Sequence, residues 1–288
     1  MVYALYIIKT KTNMHVGSGD TTFGVIDKLV QRDIVTMYPQ IHSSSLKGAL
    51  REYLKEKFPE EDFPGIVTDI FGSDPKERDK LKQGSYRFFD ANLLVLPVRS
   101  SQRTFFRATT LSLIKQMLER LEDFNLQLKP DDKSALEMLI ESIKKIAEHE
   151  TGFKPRTLDS LGTVYIEEHI AEYLDDAELT NAHRKRIKSI FGSGLVVFNE
   201  EDFKNVSEEL PVIARNQLEN GESKNLWYEQ IVPRESVFYC IIGLGKKHNA
   251  EFDRIWKDEL VQIGANATIG YGYTQFTKLI QGVNHEKN

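Results

Sequence analysis

Two apolar runs frame the chain: Tyr3 to Ile8, and Val237 to Ile242. Both are rich in β-branched and aromatic residues and too short for a core helix, so each predicts a buried strand, over 2–10 and 236–243. After the first strand the pattern breaks into a loop carrying Gly17, Gly19 and Gly24. A serine triplet, Ser43 to Ser45, then precedes Leu46, Leu50, Tyr53, Leu54 and Phe58. That spacing predicts a helix capped by the serines and closed by Pro59 and Pro64. Residues 85–98 predict a long strand or hairpin arm. Helices are expected over 109–122 and 133–148, parted by Lys129-Pro130-Asp131-Asp132, and over 176–190. Leu195 to Phe198 predicts a short strand. Asn220-Gly221 inside 211–227 is a hairpin-turn signal, so this segment predicts a projecting hairpin. An amphipathic helix over 250–261, a glycine-bearing last strand over 267–276 and a polar, frayed tail from Gly282 complete the pattern.

Strands alternate with helices and some strands are adjacent, which predicts an α+β fold with one sheet, built around a split βαβ unit. At 288 residues the chain is read as one large domain, or one core with insertions. The section from about 99 to 175 reads as an insertion with its own helices.

Composition narrows the function classes. Hydrophobic residues at 40% and charged residues at 28% fit a globular protein. The formal net charge of -5 argues against a wholly basic nucleic-acid-binding body, so any RNA contact requires a local basic groove. The single cysteine, Cys240, permits no intrachain disulfide and sits in an apolar run, as a buried core thiol would. Tyr3 to Ile8 is too short for a secretory signal and is followed at once by Lys9 and Lys11. No stretch approaches the ~18 apolar residues of a membrane span. A cytoplasmic protein without a membrane partner is expected.

Four segments carry candidate chemistry. In Ser43-Ser44-Ser45-Leu46-Lys47-Gly48-Ala49-Leu50-Arg51, a helix N-terminus offers free N–H groups to a phosphate, with Lys47 and Arg51 on one face. The plain alternative is a capped surface helix with solvated charges. The loop Asn13 to Asp20 contains His15 and Gly17-Ser18-Gly19, small enough for a ligand to approach the backbone, but it lacks the end of a Walker loop. A structural histidine is the alternative there. In Gly24 to Asp33, Asp27 follows a glycine-rich loop; it could bind a divalent metal, activate an oxygen nucleophile, or simply cap local backbone. In Ile263 to Tyr273, three glycines flank an expected strand on which Tyr271 and Tyr273 share a face for base stacking, or for a bulged core strand. There is no zinc spacing, nucleophile elbow or dinucleotide fingerprint.

Taken in order, His15-Val16-Gly17-Ser18-Gly19, Gly24-Val25-Ile26-Asp27 with Gln31-Arg32, Ser44 to Arg51 and the late Gly270-Tyr271-Gly272 resemble the RAMP superfamily of CRISPR proteins. Asn225 to Glu235, with Trp227-Tyr228-Glu229 inside it, is similar to the repeated backbone subunits of type III-B effector complexes. The resemblance implies a ferredoxin-like palm over 1–98 and 191–280, a helical insertion over about 99–190 and a thumb hairpin over about 211–231. It also implies a filament of copies along a guide RNA, beside other complex subunits. Single-stranded target RNA paired to the guide would be cut at regular intervals with a divalent metal, Mg or Mn. In that chemistry the 2′-OH attacks the adjacent phosphate, leaving a cyclic phosphate and a 5′-OH. Asp27 matches the acidic cleavage residue and would be base, metal ligand or positioner. His15, Glu229 and Tyr228 are further candidates for the same site. Gly17, Ser18, Gly19, Ser44, Lys47 and Arg51 would follow the guide backbone. So would Gly264, Gly270 and Gly272; the hairpin from Arg215 to Leu226 would be the wedge, with Arg215 itself contacting RNA. A non-cleaving RNA scaffold, a standalone guide-processing endoribonuclease and an enzyme for a phosphorylated metabolite stand as alternatives.

Overall fold

The protein is described from a computed structural model over residues 1–19, 24–73, 81–149, 152–255 and 260–281. Asp20, residues 256–259 of the expected helix and the tail from Gly282 lie outside the described residues. The chain divides into two compact units, Met1–Asn92 with Leu210–Asn288, and Leu93–Glu209.

In chain order the first unit begins with strand β1 (Val2–Thr10), the two-residue strand β2 (Gln40–Ile41), helix α1 (Ser43–Lys57), helix α2 (Ile66–Phe71) and strand β3 (Arg87–Phe88). Strand β4 (Ala91–Val98) contains the unit boundary. The second unit continues with β5 (Phe106–Thr110), α3 (Leu111–Asp123), α4 (Pro130–His149), β6 (Arg156–Thr157), β7 (Val164–Ile166), β8 (His169–Tyr173), α5 (Asn181–Phe191), β9 (Leu195–Phe198) and α6 (Glu200–Glu208). The chain re-enters the first unit through β10 (Val212–Glu219), β11 (Glu222–Gln230), β12 (Val237–Leu244), α7 (Asn249–Ile255), β13 (Leu260–Gln262) and β14 (Tyr273–Gln281). The result is a mixed α+β protein in which antiparallel pairing predominates.

β1 is central in the first unit, antiparallel to β12 on one side and to β14 on the other, and β13 extends the sheet beyond β14. Every residue of β12 is buried, which is why its run of apolar residues shows no alternation. Leu46, Leu50 and Leu54 form the buried stripe of α1, at helical spacing. Phe252 of α7 packs edge-on to Tyr6, 6.4 Å between ring centroids. Burial and the nearby Asp253 carboxylate push the Tyr6 hydroxyl far above its usual range. Burial likewise raises the Cys240 thiol, so this cysteine stays protonated and inert.

In the second unit β5 pairs parallel to β9, which requires the long crossover that α3 to α5 supply. Leu113, Ile114, Met117 and Leu121 of α3, and Leu136, Leu139 and Ile143 of α4, fill its core.

Several expectations need correction. His42, not a serine, is the N-cap of α1 and makes no side-chain cap; the Asp90 carboxylate accepts the Ser43 N–H instead, at 2.6 Å. The arm over 85–98 is interrupted at Phe89 and Asp90. The helix expected from 176 starts only at Asn181, where Thr180 supplies the cap. Leu260–Gln262 is a strand, not the end of a helix. Ala267–Ile269 is a 3₁₀ turn and β14 starts at Tyr273, so Tyr271 lies in a loop and shares no strand face with Tyr273. Among the described residues no helix is long and apolar enough to cross a membrane.

Candidate functional site

The candidate residues lie in the first unit. The loop after β1 is held by main-chain pairing: Met14 and Val232 exchange two hydrogen bonds of 2.8 Å, and the Gln31 N–H donates to Val16 O at 2.8 Å. The Gln31 side chain then ties this loop to the start of α1. Its Nε2 donates to Gly17 O (3.1 Å) and Ser45 Oγ (2.9 Å), and its Oε1 accepts the His42 N–H (2.9 Å). The next turn is built on Asp33, whose carboxylate accepts from Val35 N, Thr36 N and Oγ1, and Gln40 Nε2. Burial opposes ionisation there, but these donors outweigh it and hold the Asp33 carboxyl below its usual range.

Asp27 is fastened to the root of the β10–β11 hairpin. Its N–H donates to Tyr228 O at 3.0 Å, and its Oδ2 accepts the Tyr228 N–H at 2.7 Å. Lys28 continues the pairing, donating to Tyr228 O and accepting the Gln230 N–H. The side chains of Asp27, Lys28 and Tyr228 are exposed, so this short parallel bridge displays a carboxylate at the surface.

Beneath it, Glu229 is 1% exposed. A buried carboxylate requires compensating partners. Asn266 Nδ2 donates to Glu229 Oε1 at 2.5 Å; Arg215 Nε lies 3.3 Å and Lys28 Nζ 4.0 Å from Oε2. His15 Nδ1 is 3.8 Å from Oε1 but closer to Gln230 O, at 2.7 Å. A carbonyl only accepts, so Nδ1 carries a proton, and Nε2 lies next to Gly17. Two cations sit over aromatic faces around this centre. Arg215 lies 4.4 Å from the Tyr271 ring centroid, and Lys28 Nζ 5.1 Å from that of Trp227.

The glycine loop closes the site. Asn266, Gly264, Gly270 and Gly272 all have positive φ. A side chain at Gly264 would strike His15 O, and one at Gly272 would strike Ile263 O. Gly17, Ser45, Gly48, Lys55, Gly264 and Tyr273 are among the residues lining a cleft of about 1250 Å³ beside α1. Lys47 and Arg51 stand outside that lining, Lys47 and Ser44 exposed and Arg51 half-buried. Ser18 is half-buried, while Gly19 and Gly270 are exposed. The structure therefore brings Asp27, Tyr228, Glu229, His15, Arg215 and the glycine loop together, and leaves the α1 cations along the flank.

Sequence reasoning passed over Lys28, Asn266 and Gln31. Lys28 follows Asp27 directly, and an asparagine amid three glycines is the residue type that tolerates positive φ; both were available signals. Gln31 had none beyond its place in the motif.

Among the described residues, no three His, Cys, Asp or Glu side chains come together to hold a metal ion. Asp27 fits a divalent ion only as a single carboxylate ligand, with phosphate oxygens and water completing the shell, a common arrangement for Mg²⁺.

Comparison with known proteins supplies the context. The RAMP superfamily model matches residues 7–275. The chain is 30% identical to the CRISPR system Cmr endoribonuclease Cmr4 of Pyrococcus furiosus, over 93% of this chain and 92% of that one. It is 25% identical to the CRISPR system CMR subunit Cmr4 of Saccharolobus solfataricus, over 94% of each. Among solved structures, a chain of the type III-B Cmr-beta complex in its apo state superposes with a TM-score of 0.72 at 25% identity, covering 96% of this chain and 97% of that one. With a matching family model that spans residues 7–275, nearly the whole chain, the chain belongs to the RAMP superfamily.

Proposed function

We infer that this chain is a repeated backbone subunit of a type III-B CRISPR complex, binding guide RNA and cutting the target RNA paired to it. The observation that carries this reading is the surface carboxylate of Asp27, clamped to the hairpin root directly above the buried Glu229 cluster. The first unit serves as the palm, with a ferredoxin-like core around β1 and β12. The β10–β11 hairpin serves as the thumb that parts the guide–target duplex. The second unit, Leu93–Glu209, contains the helical insertion of about 99–190. Guide backbone runs past Gly17, Ser18, Gly19, Gly264, Gly270 and Gly272, with Ser44, Lys47 and Arg51 at its flank. Copies of the chain repeat along the guide, together with other subunits of the complex.

In the cleavage step the target 2′-OH attacks the adjacent phosphate and gives up its proton, and the P–O5′ bond breaks as O5′ takes a proton from water, giving a cyclic phosphate and a 5′-OH. Asp27 accepts or orients the 2′-OH proton. Glu229 holds the hairpin root from below, Tyr228 fixes the Asp27 carboxylate through its backbone N–H, and His15 packs beneath Gly17. A bound divalent ion, Mg²⁺ or Mn²⁺, would be held by Asp27 and would neutralise charge building on the phosphate.

A second reading has its own observation: the Asp27 carboxylate already accepts a structural hydrogen bond, so Asp27 could be a clamp in a scaffold that does not cut. The deciding experiment assembles the complex on guide RNA and adds end-labelled complementary RNA with Mg²⁺. Regularly spaced cuts ending in cyclic phosphate are expected; bound but intact target would leave a scaffold.

Two further results are expected. Chelation by EDTA stops cutting while gel-shift binding of guide persists; cutting that survives EDTA removes the metal from the proposal. Guide affinity falls steeply from 50 to 200 mM salt, by about 10-fold or more for each few phosphates neutralised. A flat profile in a titration series would rule out a basic groove on this acidic chain.

A further inference from the structure

We propose that Arg215 and Tyr271 are positioning residues for cleavage, forming a latch that sets the Asp27 carboxylate through Glu229. The proposal rests on the reading of Asp27 as the cleavage residue and names what holds it in place.

Three chain segments meet at Glu229. The hairpin strand β10 arrives through Arg215, the glycine loop through Asn266, and the Asp27 segment through Lys28. Arg215 fastens the first two together, because its guanidinium also covers the ring of Tyr271 at 4.4 Å. Its side chain is only 13% exposed, and among the described residues its Nη2 is buried without a hydrogen-bond partner. The Glu229 contact at 3.3 Å has ion-pair distance without hydrogen-bond alignment. The charge is therefore balanced by one carboxylate and one aromatic face. Both interactions strengthen when water is excluded. A guanidinium held in this way serves the interior of the site and is poorly placed to reach an RNA phosphate.

The link to chemistry is short. Glu229 follows Tyr228, and the Tyr228 N–H and C=O are the two groups that hold Asp27. If the latch opens, the buried carboxylate must find new compensation, and residue 228 moves with it. A displacement of about 1 Å at a reacting group costs on the order of 100-fold in rate. The latch thus couples the posture of the hairpin to the aim of Asp27, through residues that touch no substrate.

The test uses the assembled complex with guide RNA and labelled target, reading single-turnover cleavage rate and guide affinity separately. Tyr271→Leu and Arg215→Met should each lower the rate at least 10-fold with guide affinity unchanged. Tyr271→Phe, which keeps the ring face, should cut as wild type. The double variant should be no slower than the slower single one, since both open the same latch. Hydrogen exchange on the isolated chain gives a readout independent of activity: the amides of Asp27, Lys28 and Tyr228 should exchange faster in Tyr271→Leu, with protection in β1 and β12 retained. Unchanged exchange at those amides, or a wild-type rate in Tyr271→Leu, overturns the latch. Lost guide affinity at an unchanged rate would make Tyr271 an RNA contact and also overturn it. If wild type cuts and Asp27→Asn cuts equally well, the assignment of Asp27 has failed instead, and the exchange data still judge the latch on their own.

Discussion

Asp27→Asn is expected to stop target cleavage and to leave the guide RNA bound. The geometry makes this substitution sharper than alanine. An asparagine side-chain oxygen accepts the Tyr228 N–H as Oδ2 does now at 2.7 Å, and the main-chain bonds of residues 27 and 28 do not depend on the side chain. The clamp on the hairpin root therefore survives, while the negative charge and the basicity disappear. Loss of a general base costs about 10²- to 10⁴-fold. The single-turnover rate on labelled complementary RNA should fall into that range. Asp27→Ala should cut as poorly and also loosen the hairpin root, seen as a lower melting temperature than Asp27→Asn. A rate within a factor of two of wild type for Asp27→Asn would mean that only the clamp matters. The scaffold reading would then stand.

The elements legible in the sequence are those whose pattern is decided by their own residues. β1, β9 and β12 show as apolar runs because they are buried strands, and Asn220-Gly221 marks the hairpin because both residues adopt positive φ there. The two-residue strands β2, β3 and β6 exist only because a longer partner offers its ladder, so no local pattern announces them. The cap of α1 comes from Asp90, 47 residues away, and so was invisible beside three plausible serines. The segment after Ala267 read as a strand because its apolar residues alternate, but Gly270 and Gly272 both turn the backbone to positive φ before β14 begins.

The site was legible in parts rather than as a whole. Asp27 and Tyr228 are 201 positions apart, and no spacing rule joins them. The order of motifs brought them into one list, whereas the carboxylate–cation arrangement around Glu229 emerges only from packing. Glu229 illustrates the limit: from sequence it was one more candidate acid, and its 1% exposure makes it the member of the group that cannot meet solvent without rearrangement.

Gly272→Ala should be the most destabilising of the single-methyl changes in the glycine loop. Gly272 is buried at φ +80, and a methyl group there lands on the Ile263 carbonyl oxygen. That oxygen cannot simply retreat, because the Ile263 N–H donates back to Gly272 O at 2.9 Å while the Gly272 N–H donates to Asn13 O at 2.8 Å. Left-handed backbone alone costs alanine about 1–2 kcal/mol. With the clash added, a loss of about 3 kcal/mol is expected, which lowers the melting temperature by roughly 6–12 °C in a domain of this size class. Gly270→Ala is the internal control. Its φ is also +80, but a methyl group meets nothing within 4 Å, so only the backbone strain of about 1–2 kcal/mol remains. Calorimetric melting of the two variants separates strain from collision. The collision at residue 272 also pushes on Asn13 and the Asn266 turn, so guide binding and cleavage should fail together there. Equal melting temperatures for the two would mean that the loop yields as a unit, and that Asn266 holds Glu229 less firmly than its 2.5 Å hydrogen bond implies.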